Sequence, residues 1–194
     1  MGPRPFTELP PSAAWLHNDA RVGFEVVHFR QEDGGHLAAG CTTAHEGGRS
    51  WIVDYEIHLN EHWVTCTARV RARLGPAPKT VSLDHDGVGG WRIDGVPAPH
   101  LDGCLDIDLE SSAMTNALPV HRHTMRANEP TSAPAAYVRA VGLEVERLEQ
   151  HYTRVNDDAH RYDYRAPAFD FGCELIYDES GLVLHYPGIA HRAG

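Results

Sequence analysis

The chain has 194 residues, a formal net charge of −10, 42% hydrophobic residues and 23% charged residues. These proportions suit a globular protein with its own core. An acidic balance without a basic stripe excludes a nucleic-acid footprint and electrostatic docking on anionic membranes, and leaves apolar ligands open. No apolar run approaches the roughly 20 residues of a membrane helix, so no membrane insertion is expected.

The start, MGPRPFTELPPSAAW, is proline-rich and lacks the basic-then-apolar pattern of an export signal. Cys41, Cys66, Cys104 and Cys173 are widely scattered. They read as buried thiols of a reducing cytoplasm, not as a disulfide frame. No Ser/Gly/Pro-rich linker divides residues 1–194, which predicts one domain.

Period-two alternation dominates in chain order. It runs through residues 21–30, 36–45, 51–60, 64–74, 79–84, 137–145, 161–165, 168–177 and 182–186. In the clearest run Val64, Cys66, Ala68, Val70, Ala72 and Leu74 share one face, and Thr65, Thr67, Arg69, Arg71 and Arg73 the other. Asp33-Gly34-Gly35, Gly47-Gly48, Asp86-Gly87, Asp94-Gly95 and Ser180-Gly181 supply turns between the runs. The pattern predicts a mainly β fold of about a dozen strands, with curved antiparallel sheets in a barrel or half-barrel and little helix. Residues 111–118 suit one short turn, and 143–152 are compatible with helix or strand.

Two segments hint at duplication. YEIHLNEHWVT (55–65) lies over LEVERLEQHYT (143–153), and VSLDHDG (81–87) matches LIYDESG (175–181) in its Asp and Gly spacing. A two-fold repeat over about 50–95 and 138–188 would fit a barrel made from two curved sheets. Chance likeness between antiparallel strands with Asp-x-x-Gly turns explains the same letters.

The densest chemistry lies in CLDIDLESSAMTNALPVHRH (104–123). Asp106 and Asp108, two apart on a strand, face one way. They form either an acid dyad in which one carboxylate raises the other's pKa, or an ordinary surface or Arg-paired couple. His121 and His123 on one strand face resemble a two-imidazole metal offering. With 14 histidines in the chain and no companion metal motif, no metal is expected. No G-x-S-x-G elbow or P-loop is present; Gly87–Gly90 reads as a hairpin turn. Trp51, Tyr55, Trp63, Trp91, Tyr152, Tyr162, Tyr164 and Tyr186 are spread over many strands, as either core or the wall of a ligand cavity.

The segment LDIDLESSAMTNALPVHR is similar to the signature of the putative glycolipid-binding family, in which aspartates precede a Thr-Asn-x-Leu-Pro-x-Arg segment. AWLHNDARVGFEVVHF (14–29), with Trp15, Gly23 and Glu25, resembles that family's opening. DGVGGWRIDG, EQHYT, RYDY and DESGLVLHYPGIAHR follow in family order. Ser112-Ala113-Met114 departs from the Ser/Thr-Pro-Phe expected before Thr115-Asn116. The resemblance implies a curved-sheet β-barrel, like bacterial carriers of lipoproteins and glycolipids, with a concave apolar interior and no catalytic residues.

The leading expectation is a non-catalytic binding protein for an amphipathic small molecule, a glycolipid or another acylated compound, without a cofactor. Its tail would lie inside, with Asp106, Asp108, Asn116 and Arg122 at a mouth or inner wall, and Glu25, Trp63 and Tyr152 in the lining. The alternatives are a hydrolase using Asp106 and Asp108, with His121 or His123 as base, and a purely structural Asp106–Arg122 bridge.

Overall fold

The structure, a computed structural model, describes residues 6–19, 21–156, 158 and 160–194. The first five residues of the proline-rich start lie outside them. In chain order the strands are β1 (Ser12–His17), β2 (Val22–Glu32), β3 (Gly35–Glu46), β4 (Arg49–Asn60), β5 (Thr65–Arg73) and β6 (Lys79–His85). Then come β7 (Trp91–Ile93), β8 (Val96–Pro97), β9 (Asp106–Leu109), one short helix α1 (Ala117–Arg122), β10 (Pro130–Ser132), β11 (Ala135–Val138) and β12 (Val145–Leu148). The last are β13 (His151–Arg154), β14 (Arg161–Ala166), β15 (Phe171–Tyr177), β16 (Val183–Tyr186) and β17 (Ala190–Arg192).

Fourteen strands form one antiparallel sheet in the order β10-β13-β14-β15-β16-β17-β1-β2-β3-β4-β5-β6-β7-β8. The sheet is curved but its end strands do not meet, so the fold is a half-barrel. Strands β12-β11-β9 make a second, small sheet. Its apolar side chains Ile107, Leu109, Ala136 and Val138 share a core with Trp15, Val53, Ile57, Leu83 and Trp91 of the large sheet.

The long hairpins follow from alternation and turn chemistry. β3 and β4 pair over twelve residues each, closed by Gly47-Gly48 with φ of +55° and +75°. Two successive positive φ values are what a right-twisted two-residue hairpin turn needs, and glycine adopts them without strain. In β5 Ala68, Val70 and Ala72 are buried and Arg69, Arg71 and Arg73 exposed, as the sequence predicts.

The start of that strand departs from the expected faces. The register shifts at His58/Leu59, opposite Thr65 and Thr67, so Cys66 bulges and Thr65 turns inward to full burial. The buried hydroxyl then has work to do. Thr65 Oγ1 accepts from the Ile107 amide at 3.1 Å, and the Thr65 amide donates to the Leu105 carbonyl at 3.0 Å. The bulge is one place where the small sheet is bonded to the large one; the Ala133 amide, donating to the Gln150 carbonyl at 2.9 Å, is another.

Two further departures concern the small sheet. The alternating run 137–145 is not one strand. Leu143 adopts φ +59° beside Gly142, folding β11 back onto β12. β9 pairs with β11 in parallel, not antiparallel, because residues 110–134 cross over between them; parallel neighbours require such a crossover. Asp86 and Asp178 cap their turns alike: Asp86 Oδ1 accepts from the Val88 and Gly90 amides, and Asp178 Oδ1 from those of Ser180 and Leu182.

Candidate functional site

The segment 104–123 runs through the interior. All four residues of β9 are buried, on both faces. A 3-10 turn over Met114–Asn116 leads into α1, which continues through Pro119 to Arg122. Proline is tolerated there because first-turn amides have no intrahelical acceptor. The strand expected after Pro119 is therefore helix, and His121 and His123 do not share a strand face. His121 instead stacks on Trp63, with ring centroids 3.7 Å apart.

The two aspartates have separate partners. Arg122 donates to Asp106 through Nε to Oδ1 at 3.0 Å and Nη2 to Oδ2 at 2.5 Å, and both side chains are buried. Burial pushes the Asp106 carboxyl up, and Arg122 opposes that shift. Asp108 receives the Thr115 hydroxyl on Oδ1 at 2.8 Å and the Gln150 amide on Oδ2. Burial raises it to about 6, and the charge of Asp106 adds less than burial does. Desolvation, not mutual repulsion, dominates that shift.

Asp108 lies on a cavity of about 270 Å³ between the small sheet and the carboxy-terminal half of the large one. Asp108, Ser112 and Asn116 form its polar side, and Tyr137, Tyr164, Phe171 and Tyr186 its aromatic walls. Asn116 is fixed from behind: the Tyr152 hydroxyl donates to its Oδ1 at 3.0 Å and the Tyr177 hydroxyl to its carbonyl at 3.1 Å. Burial raises the phenols of Tyr137, Tyr164 and Tyr186, so they stay neutral hydroxyls at ordinary pH. Phe169, also in the lining, is 43% exposed. Arg139 lies 5.1 Å over Tyr137 and 5.3 Å over Phe169, and pairs with Glu146 at 2.6 Å and Glu110 at 3.5 Å.

The structure gathers some of the sequence candidates and separates others. Asp108 and Asn116 line the cavity, and Tyr152 buttresses Asn116. Asp106 and Arg122 are engaged with each other. Glu25 is buried beyond the wall, accepting from the Tyr55 hydroxyl at 2.5 Å, from Ser112 Oγ, and from the Ala113 amide at 2.8 Å. It anchors the loop that carries Ser112, and burial pushes its carboxyl up. Trp63 lies in another hollow, about 830 Å³, beneath residues Phe6–Pro11. That hollow has exposed acids, Glu8 and Glu61, and no buried carboxylate.

Sequence reasoning missed Thr115, Gln150, Glu110, Arg139, Phe169 and Phe171. Of these Thr115 was closest to being found, since it sits in the quoted segment beside Asn116.

Nothing in the site resembles an activated thiol. Burial pushes Cys41 and Cys104 up to about 11 and Cys173 to about 12. Among the described residues no group of three or more His, Cys, Asp or Glu is placed to hold a metal ion, and no helix is long and apolar enough to cross a membrane.

An open β half-barrel whose second sheet leaves a mixed aromatic and polar cavity is the class that fold and site define. The chain belongs to the putative glycolipid-binding family, whose model matches residues 12–192. Among solved structures it is similar to a DUF1089 family protein from Pseudomonas aeruginosa, with 30% identity and a TM-score of 0.76, over 87% of this chain and 92% of that one. A comparison with curated proteins returned no match.

Proposed function

We propose that the protein is a non-catalytic binder of an amphipathic small molecule of the glycolipid type, held at the cavity between the two sheets. The observation that carries this reading is the convergence of Asp108, Asn116 and five aromatic rings on one 270 Å³ space. Apolar walls with a few placed polar groups are the usual make-up of a small-molecule site. The family supports a binding role. The separate tethering of Asp106 and Asp108 gives a shared-proton dyad no support, and the Asp106–Arg122 pair is best read as structural.

Native mass spectrometry of freshly purified protein mixed with a defined glycolipid panel tests the reading. The wild type should retain a ligand. Ala166→Leu, which puts a larger side chain at a buried position of the cavity wall, should release it while keeping the fold. Absence of any bound ligand in the wild type, or equal retention in both proteins, would refute the assignment.

A further inference from the structure

We infer that the ligand enters head first: one uncharged, hydroxylated ring fills the cavity against Asp108, and the apolar tail stays outside, past Phe169. The inference rests on the binding function proposed above and reverses the orientation of a barrel that swallows its ligand's tail.

Size is the first argument. The cavity holds about 270 Å³, just under the range of about 300–1,000 Å³ that takes a drug-sized ligand. One ring-sized group fits; a ring together with an acyl chain does not.

Polarity is the second. Thr115 and Gln150 fill only one site on each Asp108 oxygen, so a tail driven into this space would leave the remaining lone pairs without a donor. A hydroxylated ring would hydrogen-bond to Asp108 and Asn116, and its C–H faces would lie against Tyr137, Tyr164, Phe171 or Tyr186. The aromatic side chain best placed to meet a tail is Phe169, at 43% exposure.

Charge is the third and sets the class of head group. The side-chain donors to Asp108, Thr115 and Gln150, are both neutral, so no cation offsets its charge by direct contact. Glu110, also in the lining, is engaged with Arg139. The lining cations are already balanced: Arg139 by Glu146 and Glu110, and Arg21 by Glu46 at 3.9 Å. A phosphate or carboxylate head would therefore be repelled, while hydroxyl groups would find acceptors.

Calorimetry with three probes decides the matter: methyl glucoside, octyl glucoside below its micelle concentration, and octanoate. Both glucosides should bind and compete with one another, and octanoate should neither bind nor displace them. Asp108→Asn should weaken both glucosides by a similar factor, roughly tenfold or more, as for one lost charge-assisted hydrogen bond. Phe169→Ala, at an exposed position that folding tolerates, should weaken octyl glucoside more than methyl glucoside. Octanoate competing with octyl glucoside while methyl glucoside fails to bind would overturn the head-first orientation and leave the binding function standing. Failure of all three probes, and of the glycolipid panel, would remove both. Unchanged glucoside affinity in both variants would also overturn the orientation.

Discussion

Tyr55 lies across Gly40 of the neighbouring strand: a Cβ built on Gly40 would meet the Tyr55 ring at 2.3 Å. That close approach brings the Tyr55 hydroxyl to Glu25 at 2.5 Å, and Glu25 in turn holds the Ser112–Ala113 loop against the cavity. Gly40→Ala should cost about 1–3 kcal/mol by overpacking. Tyr55→Phe should cost about 1–3 kcal/mol, because a buried carboxyl loses a donor. Urea unfolding measures both; no loss in Gly40→Ala would mean that the ring moves freely aside.

The buried ion pair gives a differently shaped prediction. Arg122→Ala leaves the Asp106 carboxylate alone in the interior and should destabilise by about 3–5 kcal/mol. Replacing both partners, Asp106→Leu with Arg122→Met, should cost less than the single change, because no unpaired charge remains. Denaturant midpoints of the three proteins decide; a double variant no better than Arg122→Ala would contradict the account.

The Thr65 bulge joins the sheets through a hydroxyl. Thr65→Val keeps the shape and removes the acceptor of the Ile107 amide. The cost should be about 1–3 kcal/mol, and hydrogen exchange should speed up at Ile107 more than at the amides of β3 and β4. Uniform acceleration would argue against a local docking role.

Stability should also depend on pH through Asp108. Burial lifts its pKa from 3.8 to about 6, so the folded chain holds a proton that the unfolded chain releases. Its stabilising contribution is full below about pH 4 and is lost as pH rises through about 6, amounting to about 3 kcal/mol for a shift of this size. Glu25 and Asp106 are shifted in the same direction, so Asp108→Asn should flatten only part of the slope. Unfolding free energies at pH 4 and 7 measure it; a slope identical in wild type and variant would show that Asp108 titrates normally.

The large sheet was legible because its strands are long and half-buried. Residues 51–60 of β4 alternate without interruption, and Gly34-Gly35 and Gly47-Gly48 mark the two hairpins before it. β9 was legible as a strand, but its place in a small sheet was not, since it is buried on both faces and its partner lies beyond a crossover that no local pattern announces. His121 and His123 read as one strand face because the pattern does not show that a helix runs on through Pro119. Gly142 was the one local sign that 137–145 turns back. Asp108 and Asn116 could be named because one short segment carries both. Arg139 and Phe169 reach the cavity from other segments and Gln150 reaches Asp108, and only the tertiary fold reveals them. Tyr162, Tyr164 and Tyr186 were legible as core or cavity wall; that Tyr164 and Tyr186 border the cavity and Tyr162 does not was not.

The most direct measurement is a map of tyrosine ring signals by NMR during titration with octyl glucoside. Tyr55 does not line the cavity and meets its wall only through Ser112 Oγ, 3.3 Å from the Tyr55 hydroxyl, so its ring serves as the internal reference. The account predicts saturable shifts at Tyr137, Tyr164 and Tyr186 with Tyr55 unmoved. No shift in any of the three up to the solubility limit of the probe, or a change centred on Tyr55, would contradict it.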